Sequence, residues 1–405
     1  MKIISFLGAI LILFLAFLLS DNKKKINYKM VATGVALEVV LILAIFKIPV
    51  VEAFFQGIGF GVNQLFKFTT EGTKFVFGNL LNNENPNIGF IFAFQILPTI
   101  IFISAIMSLL YHYGIMQKVI KVLGVAFKKL LGTSGAETMT AVANIFVGQT
   151  EAPLFVKPYI EKMTKSEVFT MMVAGMGSIS VGALAGYAAL GIPAKHLIIA
   201  SVISAPASII ISKIIVPEVE IAETAGSIEL SSEKEFKTPI EAFSAGTSQG
   251  LMLALNVGAM LLTFIAGIAL INAILGSIGG LFGFSSLSLS WILGRLFAPI
   301  AFAIGIPQEH ILFAGDLLGQ KIVLNEFISY IKLGEVFNTL PERTGIILTY
   351  AICGFANIAA IGIQVAGIGG LAPNKKSQIG ELGIRALIAG TLVTLFNASL
   401  IGILF

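Results

Sequence analysis

Apolar positions run along this chain in blocks long enough to cross a bilayer, about 20 residues each, separated by short polar turns. The blocks predict spans at Ile3 to Leu19, Val31 to Ile48, Ile88 to Tyr111, Ser166 to Leu190, Lys195 to Ile215, Ala245 to Ile274, Thr344 to Ile368 and Ile384 to Leu404. Asn82 to Asn87 reads as a polar turn cluster, and Pro217 to Thr238, rich in Glu and Ser, as a linker between two halves. Three stretches are amphipathic instead. Val51 to Asn79 sets Phe54, Phe66 and Phe75 among charges; Met116 to Leu131 carries Lys118, Lys121, Lys128 and Lys129; Ser285 to Ile304 holds Trp291 and Arg295. Helices of this kind lie along a membrane surface.

Two further apolar stretches are broken by polar residues. Within Ser134 to Lys162, the run Ala143 to Leu154 places Asn144, Gln149, Thr150 and Glu151 beside Gly148 and Pro153. Lysine at both ends of this stretch puts both ends on one side, which predicts a re-entrant hairpin. Gln308 to Leu333, with Asp316, Lys321, Asn325 and Glu326, reads as its counterpart. Asp316 and Lys321 stand about one and a half turns apart and are expected to satisfy each other. An ionisable group at membrane depth marks a binding site or pathway by default. Backbone that is not helical is tolerated there only under a cover of protein or along a watery cavity.

The element order repeats. Span, surface helix, broken hairpin, glycine-broken span and span describe Ile88 to Ile215 and again Ala245 to Leu404. Lysine placement orients the copies oppositely, and inverted repeats place substrate and ion at the midplane, where discontinuous helices meet. The expected units are residues 1–87 (N-terminal helices and an outer interfacial segment), 88–216 (first repeat), 217–244 (cytoplasmic linker) and 245–405 (second repeat).

Composition agrees with an all-α polytopic membrane protein. Hydrophobic residues make up 56% and charged residues 12%, about half the charge density of a soluble domain. The net charge of +4 does not mark a nucleic-acid partner, because the lysines cluster in short loops, where they orient spans. Lys23, Lys24, Lys25 and Lys29 belong inside, so both termini are expected outside a cell (plasma or inner) membrane crossed several times. Ser20-Asp21-Asn22 lacks a small-residue cleavage pattern, so the first block is expected to remain as a helix. Cys353 is the only cysteine, which excludes an intrachain disulfide or a redox pair.

Four polar clusters fall at predicted midplane depth: Asn144 with Gln149-Thr150-Glu151, Gly177-Ser178-Ile179-Ser180, Asn325-Glu326, and Gly354-Phe355-Ala356-Asn357. A solute with several hydroxyls and a flat ring fits this inventory. Carboxylates accept from hydroxyls or amines, amides donate and accept, and Phe355 offers a stacking face. Glu151 and Glu326 argue against an anionic solute, and half-helix N-termini facing the cavity would temper their charge. Blander readings stand beside this one: Gln149 and Thr150 as interhelical glue, glycine breaks as close packing, or a carboxylate in a buried ion pair. An intramembrane enzyme with paired acids lacks an activated nucleophile or metal ligands. An ion channel is disfavoured because large polar side chains at the breaks suit occlusion.

Gly148-Gln149-Thr150-Glu151-Ala152-Pro153-Leu154, Asn325-Glu326-Phe327 and Cys353-Gly354-Phe355-Ala356-Asn357 resemble, in order and spacing, the signatures of the concentrative nucleoside transporter family. The resemblance covers essentially the whole chain. It implies eight transmembrane helices, two re-entrant hairpins, interfacial helices and a homotrimer with one transport path per subunit. It further implies that Gln149, Thr150 and Glu151 contact the nucleobase, and that Glu326 and Asn357 hold the ribose hydroxyls while Phe355 lines the pocket. For a sodium ion it implies side-chain oxygens from Asn144 and Ser178 and backbone carbonyls from Val147 and Ile179; no organic cofactor is implied. Thr150 and Asn144 together favour sodium over protons as the coupling ion, with a proton-coupled symporter as the alternative. The Gln-Thr-Glu tip resembles pyrimidine-accepting members, so uridine or cytidine is expected. One departure stands out. Asn357-Ile358-Ala359-Ala360 replaces the serine pair frequent in relatives, removing a ribose contact worth on the order of 1 kcal/mol.

Overall fold

The computed structural model describes residues 1–81, 91–225, 236–284 and 286–405. The expected turn at Asn82 to Asn87, the start of the third span at Ile88, the boundary between residues 87 and 88 and the middle of the linker lie outside the described residues. Helices dominate the rest, and no strand occurs among the described residues.

The chain opens with α1 (Lys2–Leu18), α2 (Tyr28–Lys47) and α3 (Pro49–Phe77). Asn27 caps α2 by accepting from the Met30 amide at 3.0 Å. Pro49 begins α3, where its missing N–H is not needed. The third expected span is two pieces, α4 (Phe92–Gln95) and α5 (Leu97–His112), because Pro98, in the first turn of α5, has no N–H to carry the helical ladder back to the Phe94 carbonyl. The basic helix α6 (Ile115–Leu131) buries Met116, Ile120, Gly124, Phe127 and Leu131 and leaves Lys118, Lys121 and Lys129 exposed. The arms of the first hairpin are α7 (Gly135–Ala143) and α8 (Lys157–Ile160), followed by the half-helices α9 (Lys165–Gly177) and α10 (Val181–Ala189) and by α11 (Ala194–Ile215).

The second half repeats that order with α12 (Pro239–Leu281), α13 (Leu289–Ala303), the hairpin arms α14 (Ile311–Val323) and α15 (Glu326–Val336), the half-helices α16 (Glu342–Ile352) and α17 (Ile358–Leu371), and α18 (Lys376–Leu404). Six segments among the described residues are long and apolar enough to cross a membrane, and α1, α13 and α17 are shorter apolar helices. Two boundaries differ from expectation. Where Ala245 to Ile274 predicted a single span, α12 runs for 43 residues, roughly 65 Å at 1.5 Å per residue and about twice the hydrocarbon thickness. Helical propensity continues through its polar flanks, so hydropathy marked only the apolar middle. The last helix likewise begins at Lys376 rather than Ile384.

Packing sorts the helices into an enclosed centre and an open rim. Most of α9, α11 and α18 is buried, whereas α12 leaves nearly its whole length uncovered. Its main neighbour among the described residues is α5, with α13 touching its C-terminal end. A Cβ at Gly246 would stand 2.5 Å from Ser108 Cβ, and one at Gly250 would stand 2.8 Å from Ile101 Cα. These two glycines, four apart, let the backbones meet as small residues do in membrane helix pairs.

The ends of the molecule are also sorted. Lys2 donates to the Leu404 carbonyl at 3.0 Å, and Arg343 reaches Ser5 and the Gly402 carbonyl, so the two termini share one end. At another junction Asp21 pairs with Lys165 and Arg385, while Asn374 and Lys375 donate to carbonyls of Glu161 and Met163. The loops expected inside therefore gather together. Capping boxes at Ser134–Glu137 and Thr164–Glu167 start α7 and α9. Lys213 at the end of α11 braces them, pairing with Glu137 and donating to Ser166 at 2.8 Å.

Candidate functional site

Three helices, the half-helices α10 and α17 and the hairpin arm α15, begin at the polar clusters. Ser180, Asn325 and Asn357 are the N-caps of α10, α15 and α17, and each side chain accepts from a backbone amide one turn on: Ala183 at 3.3 Å, Ile328 at 3.1 Å and Ala360 at 2.9 Å. The chain leaves the helix at these points because Ser and Asn compete for backbone donors and favour caps over helix interiors. The N-terminal ends of helices carry partial positive charge, and Glu326 occupies the first turn of α15.

Glu326 is buried, and both of its oxygens are engaged. Tyr187 on α10 donates its hydroxyl to Oε1 at 2.8 Å, and Asn357 Nδ2 donates to Oε2 at 3.2 Å. Tyr187 is held in turn by stacking on Tyr330, with ring centroids 4.3 Å apart, and by the edge of Phe327. The carboxylate thus joins the second hairpin, the α10 half-helix and the start of α17.

The first hairpin reaches the same helix from the other side. Gln149 Oε1 accepts from Gln364 Nε2 on α17 at 3.0 Å, and the same Nε2 donates to the Met172 carbonyl of α9 at 2.9 Å. Thr150 lies over Gly367, where a Cβ would come within 2.7 Å of its methyl. Glu151, at the exposed tip, accepts from the Gly148 amide at 2.6 Å. Gln364 and Asn357 stand seven residues apart, on one face of α17 and separated by roughly 10 Å along it.

The unwound segments interlock. Phe355 donates its backbone amide to the Ser178 carbonyl at 3.1 Å, and its ring is half-buried. Val181 donates to the Phe146 carbonyl at 3.2 Å, tying the α9–α10 break to the first hairpin. Asn144 and Ile179 are buried and Val147 half-buried in these two segments. Asn144 Nδ2 donates to the Thr140 carbonyl at 2.9 Å, while its Oδ1 is buried with no hydrogen-bond partner. Ser178 donates its hydroxyl proton to the Ala174 carbonyl at 2.7 Å, which leaves its oxygen free to act as a ligand. An orphaned neutral oxygen beside unwound backbone is the donor chemistry that a hard monovalent cation takes.

Three residues of this neighbourhood escape the sequence reading. Tyr187 and Gln364 are single polar side chains in apolar half-helices, a signal that could have found them. Lys321 was expected to pair with Asp316, and the structure corrects this. Asp316 pairs with Lys332 at 3.1 Å and accepts from Gln320, because a neighbouring helix offers a better-placed cation. Lys321 points inward, donating to the Ala351 carbonyl at 3.0 Å and to Thr394 Oγ1 at 2.6 Å.

A many-helix apolar bundle with buried polar groups at its helix breaks defines a multi-pass membrane protein with an enclosed polar site. Three family models match in chain order: "Na+ dependent nucleoside transporter N-terminus" over residues 7–80, "Nucleoside recognition" over 93–194 and "Na+ dependent nucleoside transporter C-terminus" over 196–402. The nucleoside permease NupC of Helicobacter pylori is 41% identical over 410 residues, covering 99% of this chain and 97% of that protein. Sodium/nucleoside cotransporter 1 of Mus musculus is 35% identical over 426 residues, covering all of this chain and 64% of that protein. A solved structure described as CNTnw in an inward-facing substrate-bound state superposes with a TM-score of 0.93 at 39% identity, covering 100% of this chain and 98% of that one. The chain belongs to the Na+-dependent, concentrative nucleoside transporter family, and it is a nucleoside transporter, not an enzyme.

Proposed function

We propose that the chain is a sodium-coupled symporter that carries nucleosides into the cell, pyrimidine nucleosides such as uridine foremost. The observation that carries this reading is the double use of α17: Gln364 engages Gln149 of the first hairpin, and two turns away Asn357 engages Glu326 of the second. That spacing suits a base joined to a sugar. Gln149, Thr150 and Glu151 would meet the base, Glu326 and Asn357 the ribose hydroxyls, and Phe355 would line the wall between. The bonds that Tyr187, Asn357 and Gln364 make hold these acceptors in place before the solute arrives, which lowers the ordering cost of binding.

Sodium would sit where Asn144 Oδ1 lacks a partner, with Ser178 Oγ and the Val147 and Ile179 carbonyls completing the shell. Because Val181 and Phe355 link that shell to the hairpin and to α17, sodium and nucleoside would favour each other's binding, a coupling that must be reciprocal. The two re-entrant hairpins and the two broken spans would travel as one unit in an elevator-like alternation. The fixed scaffold would be formed by α5 and α12, whose uncovered apolar length fits lipid and the neighbouring copies of a homotrimer. This gives eight transmembrane helices, two at the N-terminus and three in each of two inverted repeats, with both termini outside.

Radiolabelled uridine uptake into proteoliposomes tests the reading. Accumulation is expected only when sodium is high outside. Uptake that ignores sodium and follows a pH gradient would select proton coupling, and absence of uridine uptake with either gradient would reject the substrate assignment.

A further inference from the structure

Glu38 lies near the middle of α2 on the stripe Met30, Gly34, Glu38, Ile42 that faces the bundle, and its side chain is fully enclosed. Neither carboxyl oxygen has a hydrogen-bond partner. An ionised carboxylate in that position would bear its desolvation cost with nothing to offset it. Two contacts fix how α2 runs against its neighbours. Gly34 meets Ile210 of α11 and Leu131 of α6, and Phe46 stacks on His196 with ring centroids 6.1 Å apart. The helices α2 and α11 are therefore antiparallel, and the register between those contacts sets Glu38 level with Ala205 and Pro206. Pro206 has no N–H, so the Val202 carbonyl lacks its helical donor.

The charged groups on the elements packed against α2 are engaged elsewhere or face outward. On α11, His196 contacts Tyr350 two turns away, Lys195 pairs with Glu52 of α3 at 2.7 Å, and Lys213 pairs with Glu137 and Glu218. Lys67, Glu71 and Lys74 of α3 and Lys118, Lys121 and Lys129 of α6 are exposed, and Lys128 donates to the Thr224 carbonyl. Among the described residues no cation forms an ion pair with Glu38.

We propose that Glu38 is a proton-binding site: α2 carries it as the neutral acid, with the open Val202 carbonyl as acceptor, and loss of that proton at alkaline pH arrests transport. The site is separate from Glu151 and Glu326, each of which accepts hydrogen bonds from protein donors.

Infrared difference spectra of the purified full chain against Glu38→Gln test the first half without relying on the transport reading. A carboxylic-acid carbonyl band is expected at neutral pH in the parent and not in the variant. Uridine uptake from mildly acidic to alkaline pH tests the second half, which does rest on that reading. Parent uptake is expected to fall about tenfold per pH unit beyond its midpoint, as the protonated fraction does, while Glu38→Gln, fixed in the neutral shape, stays level. Absence of the acid band overturns the proposal. So do parallel pH profiles, or a Glu38→Gln chain that fails to fold where Glu38→Asp folds. If the band is present and neither protein moves uridine, the transport reading fails and the proton site stands.

Discussion

The amide of Phe355 donates to the carbonyl of Ser178 at 3.1 Å, so the unwound segments of the two broken spans share a backbone hydrogen bond. The approach is close enough to exclude a side chain beside it. A Cβ at Gly354 would stand 2.7 Å from Thr394 Cγ2, 2.9 Å from the Met176 carbonyl oxygen and 3.2 Å from the Gly177 carbonyl carbon. Two of these three neighbours are backbone and cannot turn away. Crossing the breaks in this way fixes Phe355 and Asn357 relative to Ser178 and Ile179, whatever the outer helices do.

Gly354→Ala is therefore expected to cost about 1–3 kcal/mol, the range for forcing extra volume into a packed core. Thermal unfolding in detergent reads the loss of stability, and uridine uptake should drop with it. A variant that melts and transports like the parent would show that the crossing is slack.

Tyr187→Phe tests how Glu326 is aimed. The ring keeps its stack on Tyr330, so the fold should hold, while Oε1 loses its donor at 2.8 Å. A hydrogen bond to a charged group contributes about 1.5–3 kcal/mol, and part of that is expected to appear as a KM for uridine raised roughly tenfold or more. The sodium concentration for half-maximal uptake should stay where it is. A shift in the sodium curve with KM unchanged would move Tyr187 out of the ribose side of the site.

How much of this was legible in the sequence depends on whether a residue's partner is near it in the chain. The breaks announced themselves, because Asn325, Asn357 and Ser180 are cap formers followed by apolar helix, and a cap is a local device. The breaks at Gly148 and Gly354 were equally plain. Tyr187 and Gln364 were missed because their roles depend on partners 139 and 215 residues away, which no local pattern encodes. Lys321 was misread for the opposite reason. A nearby Asp316 offered a local partner, but five residues on one helix turn the two side chains about 140° apart, beyond the three- or four-residue spacing at which helix neighbours meet. The 43 residues of α12 exceed the predicted span because hydropathy reports which residues tolerate lipid, whereas hydrogen bonding decides where a helix stops.

Asp21 gives a pH dependence with a definite sign. Partial burial pushes its carboxyl up, but Lys165 at 2.9 Å and Arg385 at 2.7 Å outweigh that and hold it below the usual carboxylate value. A group depressed in the folded state stabilises above its unfolded value, near 4. That contribution is lost as pH falls through the folded value. Each partly exposed pair contributes about 0.2–1 kcal/mol, so Asp21→Asn should melt slightly lower at neutral pH. The gap should begin to narrow near pH 4 and close once pH is below the depressed folded value of Asp21, and a gap that does not narrow on acidification would assign the effect to packing.

Asn144 and Ser178 decide whether the ion shell is where the orphaned oxygen places it. The Asn144 side chain already gives one proton to Thr140, so Asn144→Ala removes a helix-end contact as well as a ligand, and its loss of function alone would be ambiguous. Asn144→Asp keeps the shape and the orphaned oxygen but exchanges the amide donor to Thr140 for a second acceptor and a charge, while Ser178→Ala removes an oxygen and leaves a backbone that Phe355 still holds. In Ser178→Ala the half-saturating sodium concentration should rise about tenfold, the equivalent of 1.4 kcal/mol, with uridine KM at saturating sodium little changed. Asn144→Asp should bind sodium at least as tightly and release it slowly, lowering maximal uptake. If both variants keep the parent's sodium curve, the cation binds elsewhere and the buried Oδ1 of Asn144 is a packing feature only.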